Sequence, residues 1–469
     1  MTWWFSFSNC VKYFCGFCVF FYFWVKDLFK LLRAFFGLNE NNALLVCGDS
    51  GVGKTLFGFE VLREIGGVEC GIYVSCGVSR AALLSRHGDL SRYLREVIDA
   101  NDFTFPQEED VYESISRSNL PIFLRFLYEK AEKVKGAFIF VDDFEGVCNV
   151  VGLDPVSVME LYVSFLRHTG LRSIVAVRRE GDLGRIVDGV VVLESEEVNS
   201  RVVRRALFKK LCGVKLSDSS FFYTLLGGRF LPFSRSLMDV ESLPGNFLSK
   251  IQGLALEKSG AYTGVLGKRL ISFGSESFDR FLGGLAEDCF NLFVFDANVP
   301  LLIRSLTFLS IINCFVKNGG IVASIGMEPF LRPPPFLPFE EYKSLVFLPV
   351  LGSVDEIISN IGARLSEGVS SPILLILNID YLNAELGYND VTRLIYSLTS
   401  RPLVGNMCLL GVCSEPSPVI QGLASRVFTF SEKNGYTLVF GVKPWTPYYL
   451  LSVNITYDGY IRLSLTEMV

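Results

Sequence analysis

Histidine is almost absent from this chain: His87 and His168 are the only two in 469 residues. Imidazole chemistry therefore has little to work with, and a structural zinc site, which needs four nitrogen or sulfur ligands, has few donors. Cys15 and Cys18 in "CGFC" have a redox or half-zinc spacing, yet no second cysteine pair or histidine lies near them in sequence. An excess of positive charge is missing too. Lys and Arg total 44 against 49 Asp and Glu, a formal charge of −5, which argues against general affinity for phosphate backbones while leaving a local basic channel open. Charged residues are scarce altogether, 20% against 50% hydrophobic, and mean hydropathy is +0.38. Large buried interfaces or a membrane contact are implied. Nor is there a disulfide framework: the 12 cysteines are scattered, mostly in apolar runs such as "LLVC" and "NMCLLGVC", as small buried hydrophobes are in a reducing compartment. The main body reads as cytoplasmic.

The length calls for two or three cores. Before the first of them comes "WWFSFSNCVKYFCGFCVFFYFWVKDLFKLLR", in which Val11 to Val25 carries only Lys12 as a charge. A membrane helix needs about 20 apolar residues, a length that Trp3 to Val25 reaches. Lys26, Lys30 and Arg33 would hold the adjoining domain on the cytoplasmic face. No small-residue cleavage site comes after the stretch, so a signal peptide fits poorly. Two readings stay open for residues 3–25: a membrane contact, or a hydrophobic helix buried against protein.

What the chain does have is a phosphate-binding loop. "CGDSGVGKTLF" matches G-x-x-x-x-G-K-[ST] through Gly48, Gly53, Lys54 and Thr55, with an extra Gly51. The apolar "NALLVC" precedes it as a strand and the amphipathic "LFGFEVLREI" succeeds it as a helix. Glycines let successive N–H groups curl around phosphate oxygens, and the helix N-terminus adds positive potential. Gly48, Asp49, Ser50, Gly51, Val52, Gly53, Lys54, Thr55 and Leu56 are thus the expected nucleotide-binding residues. Lys54 is assigned to the outer phosphates and the Thr55 hydroxyl to Mg²⁺. Mg²⁺ also wants a carboxylate at the end of another buried strand. "GAFIFVDDFEGV" supplies it, with Phe138 to Val141 running into Asp142, the expected Mg²⁺-side group, and Asp143. A helix-capping role stays open for Asp143. Further strands are expected at 71–75, 172–177 and 188–193. Strands alternating with helical segments predict an α/β fold with a mainly parallel sheet.

"LFKLLRAFFGLNENNALLVCGDSGVGKTLFGFEVL", "CGIYVS", "FIFVDD" and "VDGVVVLESEEVNSRVVRRALFKKLCG" together resemble the RecA-like ATPases of the KaiC and RadA group, over roughly residues 28–235. The resemblance implies ATP and Mg²⁺ as ligands, a ring-like homo-oligomer or a hetero-oligomer with related ATPases, and nucleotide held between subunits. It also shows what is missing. In KaiC-like proteins the strand after the phosphate-loop helix ends in two glutamates that activate water; here "YVSCGVS" puts Gly77 and Val78 there. A Lys-x-Arg pair in the terminal hairpin reaches a neighbour's nucleotide in that group; here Lys210 fits the lysine, and Cys212 replaces the arginine. Loss of such an arginine can cost about 10³ to 10⁵ in rate. Slow hydrolysis of ATP is expected, unless Asp143 or Glu145 serves as base.

The second half repeats the layout. "FDRFLGGLAEDC" resembles the family's lead into the phosphate loop, but "FDANVPLLIRS" lacks the glycines and lysine, with Leu301 or Leu302 at the lysine position and Asp296 close by. "PILLILNIDYL" resembles the metal-carboxylate strand, with Asn378 at the matching position and Asp380 two residues on; "YTLVFGVKPW" resembles the hairpin, with Lys443 and Trp445. An unrelated α/β domain is the alternative. The expected architecture is two tandem RecA-like P-loop domains with mainly parallel central sheets flanked by helices: 1–27 a hydrophobic helix, 28–238 ATP-binding, 239–264 a linker, and 265–469 a degenerate copy. The Pro-rich 328–341 interrupts that copy as a docking loop or rigid connection. ATP is expected to act as an assembly or conformational switch. The alternatives are an active ATPase, motor or signalling, and a recombinase-like DNA-binding protein. The last lacks a clustered basic and aromatic loop.

Overall fold

The computed structural model describes residues 26–38, 41–76, 78, 80–100, 124, 127–132, 134, 137–151, 154–216, 218–233, 253–254, 262–263, 269–327, 345–365, 372–400, 407–455 and 460–469. The expected hydrophobic segment 3–25, most of the linker and the Pro-rich 328–341 lie outside these. Among the described residues no helix is long and apolar enough to cross a membrane. The chain divides into two compact units, residues 1–234 with 468–469, and residues 235–467.

In the first unit α1 (Lys26–Leu38) leads into β1 (Ala43–Cys47). Leu28, Phe29, Leu32, Phe35 and Phe36 recur at helical spacing and are all buried, which fixes α1 as an amphipathic helix on the sheet. After β1 come α2 (Lys54–Val61), which continues into a π-turn at Leu62–Gly66, β2 (Gly71–Ser75), α3 (Arg80–Arg86), β3 (Leu94–Asp99) and β4 (Phe138–Val141). Then come α4 (Phe144–Val151), α5 (Pro155–Thr169), β5 (Arg172–Val177), α6 (Leu183–Ile186), β6 (Gly189–Val198), β7 (Arg201–Leu211), β8 (Ser220–Thr224) and β9 (Leu231–Pro232). The expected strands at 71–75, 138–141 and 172–177 coincide with β2, β4 and β5.

Sheet order is β3-β2-β4-β5-β1-β6-β7-β8-β9. Pairing is parallel from β3 to β6 and antiparallel from β6 onward. Every residue of β1 and β4 is buried, as befits strands covered on both faces. Along β1, Leu44 and Val46 join one core while Ala43, Leu45 and Cys47 join the other. Local signals set the helix ends: Asp154 accepts from the Val156 and Ser157 N–H groups to cap α5, Pro155 opens it, and Gly170 ends it in a left-handed turn.

The second unit holds β10 (Gly253–Leu254), β11 (Tyr262–Thr263), β12 (Arg269–Ile271), α7 (Glu276–Leu282), β13 (Leu285–Ala286), β14 (Phe290–Phe295), α8 (Leu301–Lys317), β15 (Ile321–Ile325) and β16 (Leu345–Phe347). It continues through α9 (Val354–Leu365), β17 (Ile373–Asn378), α10 (Ile379–Leu386), α11 (Tyr388–Ser400), β18 (Met407–Cys413), α12 (Pro418–Leu423), β19 (Arg426–Lys433), β20 (Tyr436–Lys443), β21 (Tyr449–Ile455) and β22 (Tyr460–Glu467). Its large sheet runs β16-β15-β17-β18-β14-β19-β20-β21-β22-β10, and β11, β12 and β13 form a small one. Matched strand for strand, β16 to β21 reproduce the order of β3 to β8 in the first unit. The senses agree as well, parallel up to β19 and antiparallel from there to β22.

Candidate functional site

The first site is built where β1 stops. Past Cys47 the chain turns with positive φ at Gly48 (156°), Gly51 (82°) and Gly53 (98°). A Cβ on Gly48 would lie 2.5 Å from the Leu193 carbonyl oxygen, and one on Gly53 would lie 2.6 Å from the Leu225 side chain. Only glycine gives this loop its course. Asp49, Ser50 and Gly51 are exposed, whereas Gly48 and Val52 are buried and Lys54, Thr55 and Leu56 half-buried.

Lys54 turns back over the loop, its Nζ donating to the Gly48 oxygen at 2.6 Å and the Asp49 oxygen at 3.0 Å. Gly53 caps α2 without any side-chain bond, and the first turn closes with Phe57 N–H donating to the Gly53 oxygen at 2.8 Å. The amides of the first turn thus face the loop, as anion-binding helix termini do.

Two buried contacts hold the loop from the antiparallel side of the sheet. The Tyr223 hydroxyl, from β8, donates to the Val52 oxygen at 2.7 Å. Glu60, 2% exposed on α2, pairs with Arg63 at 2.5 Å and with Arg229 at 2.8 Å. Burial raises the Glu60 pKa while the two arginines oppose the rise.

β4 delivers the carboxylates to the same edge. Thr55 Oγ1 donates to Asp142 Oδ2 at 2.6 Å, and the Tyr73 hydroxyl, from β2, donates to the same oxygen at 3.1 Å. Burial pushes the Asp142 pKa up, against the Thr55 and Tyr73 hydrogen bonds and the Lys54 charge. The Asp142–Asp143 peptide is cis. Asp143 Oδ1 accepts from the Glu145 and Gly146 N–H groups at 3.0 and 3.4 Å, so this residue does cap α4. Glu145 reaches the next strand, its Oε1 accepting from Arg178 N–H at 2.8 Å. Its pKa is raised, first by burial and then by the Asp143 carboxyl beside it.

Of the two residues standing where glutamates were looked for, Gly77 lies outside the described residues. Val78 packs on the core, and its carbonyl accepts from the Ser75 hydroxyl at 3.0 Å. Lys210 Nζ donates to the Val187 and Gly184 oxygens at 2.6 and 3.4 Å, capping the end of α6 in its own chain. Cys212 is exposed beyond it.

In the second unit the loop 296–300 joins β14 to α8. Leu301 opens α8 as Lys54 opens α2, and it is 56% exposed. The cation comes one turn later. Arg304 donates from Nη2 to the Asp296 and Ala297 oxygens at 2.8 and 3.0 Å, and from Nε to Val299 at 2.9 Å. Arg304 therefore closes the first carbonyls of this loop as Lys54 closes those of the other.

Register identifies the position that corresponds to Asp142. Val141 pairs with Val175, two residues before β5 ends, and Leu377 pairs with Gly411, two before β18 ends. Asn378 thus stands where Asp142 does. Its amide donates to the Gly326 oxygen at 2.8 Å and accepts from Tyr381 N–H at 3.1 Å. Asp380 accepts from the Ser414 N–H and hydroxyl at 2.7 and 2.9 Å. Lys443 donates to the Ala424 oxygen at 2.6 Å, the counterpart of Lys210.

A family model described as "GvpD gas vesicle protein, P-loop domain" matches residues 32–209. Residues 32–209 are thus similar to a P-loop domain. "Protein GvpD2" of Halobacterium salinarum is 28% identical over 216 residues, 42% of this chain and 43% of that protein. The chain spans less than half the length of the curated relative it matches. The matched stretch runs from within α1 to β7 and takes in the loop, Asp142, Asp143 and Glu145; Lys210 falls one residue beyond it.

Sequence reading missed Tyr73, Tyr223, Arg229, Arg178 and Arg304. Arg178 had a signal, as a charge immediately after the apolar "SIVAV". Tyr73 and Tyr223 sit in strands and read there as core aromatics.

Proposed function

We propose that the chain binds ATP with Mg²⁺ through residues 48–56 and uses occupancy of that site as an assembly or conformational switch, with slow hydrolysis. The single observation that carries this reading is the 2.6 Å contact between Thr55 Oγ1 and Asp142 Oδ2. It sets a hydroxyl and a carboxylate together beside the loop, and oxygen donors of this kind suit Mg²⁺. A glycine-shaped turn and an uncapped helix start suit phosphate. Mg²⁺ would neutralise phosphate charge. Thr55 and Asp142 would hold it, Lys54 would exchange the Gly48 and Asp49 oxygens for phosphate, and Tyr73 keeps Asp142 oriented.

The finer reading is a RecA-like fold of the KaiC and RadA kind, with the second unit a degenerate copy. The shared strand order supports it, together with the counterpart pairs Lys210 with Lys443 and Asp142 with Asn378. Nucleotide at a subunit boundary would then bias an interface of a homo-oligomer or of a hetero-oligomer with related ATPases. Any reach of Lys210 into a neighbour's site requires it to leave Val187 and Gly184. The family description suggests a gas-vesicle setting, resting on residues 32–209 alone.

One observation favours a second reading, an active ATPase: Glu145 is a carboxyl of raised pKa at the end of β5, as a general base would be. Asp143 is the weaker candidate, because its Oδ1 is committed to the helix cap. Steady-state phosphate release by the full chain and by Lys54→Ala separates the two. Release at background in both, with ATP binding weakened in the variant, is the expected result. Turnover well above background that vanishes in Lys54→Ala defeats the switch reading.

A further inference from the structure

The second unit carries two neighbouring thiols that phosphate chemistry does not use. Phe290 of β14 pairs in parallel with Leu409 of β18, and the residues directly before them are Cys289 and Cys408. Leu409 N–H donates to the Cys289 oxygen at 3.2 Å, so the ladder extends to this pair. Neighbouring strands lie about 4.8 Å apart. A disulfide needs Cα atoms about 4.4–6.8 Å apart, a range this register meets.

Asn291 fixes the surroundings. Fully buried, its side-chain amide bonds both the N–H and the oxygen of Ala286 at 2.9 Å, which holds the turn from β13 to β14. The same Nδ2 donates to the Cys289 oxygen at 3.3 Å and to Cys408 Sγ at 3.4 Å. The two thiols differ in access: Cys289 is half-buried and Cys408 fully buried. Burial pushes the Cys408 pKa up, and the nearby Cys289, Glu287 and Asp288 push it further, against the Asn291 hydrogen bond. The fold itself does not demand thiols here. In the first unit the matching ladder bond runs from Ser173 N–H to the Asn42 oxygen at 3.1 Å, and the pair abreast is Asn42 and Arg172.

We propose that Cys289 and Cys408 are a redox-responsive dithiol, closed to a disulfide by exchange with a low-molecular-weight disulfide. The more accessible Cys289 thiolate attacks one sulfur of that oxidant, whose S–S bond breaks and releases one thiolate. The Cys408 thiolate then attacks the Cys289 sulfur and expels the second. The protein loses two protons and two electrons, and the oxidant becomes two thiols. Resolution by Cys408 is the slow step, because its thiolate is disfavoured. The bond ties the turn before β14 to β18 across a long stretch of chain and so stabilises the second unit.

The test incubates the full chain with oxidised glutathione, alkylates the remaining thiols after denaturation, and maps every cysteine by peptide mass spectrometry. Wild type should yield a peptide pair joined through Cys289 and Cys408, separated again by dithiothreitol. Cys408→Ala should stop with glutathione on Cys289. Cys289→Ser should leave Cys408 reduced and alkylated; it alters only a half-buried residue, so it keeps the test standing where truncation of buried Cys408 unfolds the unit. Calorimetric melting should show a raised midpoint for the second unit on oxidation of wild type, and no such rise in Cys289→Ser. Alkylation of both cysteines in oxidised wild type overturns the assignment. So does glutathione that stays on Cys289 while Cys408 remains reduced, or a bond from either to a third cysteine.

Discussion

The two units solve the same problem with opposite chemistry. Each sheet ends its central strand in a loop whose first carbonyls point at a cation. In the first unit that cation is Lys54, half-buried at the start of α2, over glycines that no other residue could replace. In the second it is Arg304, a turn further on, satisfying three carbonyls of a loop without glycine. An ammonium on a flexible stem can change partners; a guanidinium bonded to three oxygens is a fixed staple. The position of Asp142 repeats the contrast. Asp142 is a half-buried carboxylate whose pKa burial raises, and Asn378 is a neutral amide with donor and acceptor both used. The same strand order thus accompanies two loops, one closed by a lysine and one closed by an arginine bonded to three carbonyls.

The sharpest break of this comparison is Lys54→Ala. If only the first unit takes nucleotide, affinity of the full chain falls by about 10- to 100-fold; a site that keeps the wild-type affinity in the variant would mean that the second loop also holds nucleotide. Next is Arg229→Ala. It leaves buried Glu60 with Arg63 alone and should destabilise the first unit by about 1–3 kcal/mol, since a buried carboxylate loses one of its two cationic hydrogen-bond partners. Denaturant unfolding reads this as an earlier transition for the first unit, with the second unmoved. Arg304→Ala should cost the second unit about 1–3 kcal/mol for its stranded carbonyls and leave nucleotide affinity unchanged; a change in affinity would remove the contrast between staple and switch.

A smaller effect concerns pH. Because Asp142 has a raised pKa, the folded first unit holds a proton more tightly than the unfolded chain does. The group stabilises the fold below the ordinary aspartate range, and this contribution is lost as pH rises toward the raised value. Asp142→Asn should therefore stabilise the ligand-free protein above that window, while abolishing any Mg²⁺ dependence of nucleotide binding. Calorimetric melting with and without Mg²⁺ checks both halves.

Much of the site was legible because its parts are local. The loop from Gly48 to Thr55 is contiguous, and Asp142 comes directly after four apolar residues that could only be a buried strand. The partners that hold these parts were not legible. Tyr73, Tyr223 and Arg229 are far from the loop in sequence, and a tyrosine inside "GIYVS" or "SFFYT" looks the same whether it fills a core or anchors a carboxylate. Asp143 was undecided until α4 was seen to begin on it. The N-terminal aromatic stretch 3–25 lies outside the described residues.

Composition, strand-and-helix periodicity and one glycine-rich motif sufficed to establish an α/β chain with a phosphate loop, and to mark the second half as lacking one. Those properties arise from backbone geometry and from burial, which act over a few neighbouring residues. Tertiary structure alone decided that Arg304 closes the carbonyls of the second loop, that Glu145 meets Arg178, and that Arg178 stands between the loop 48–53 and Asp142. Such pairings depend on which strands lie side by side, and sheet order is set by the packing of the whole unit rather than by any one segment.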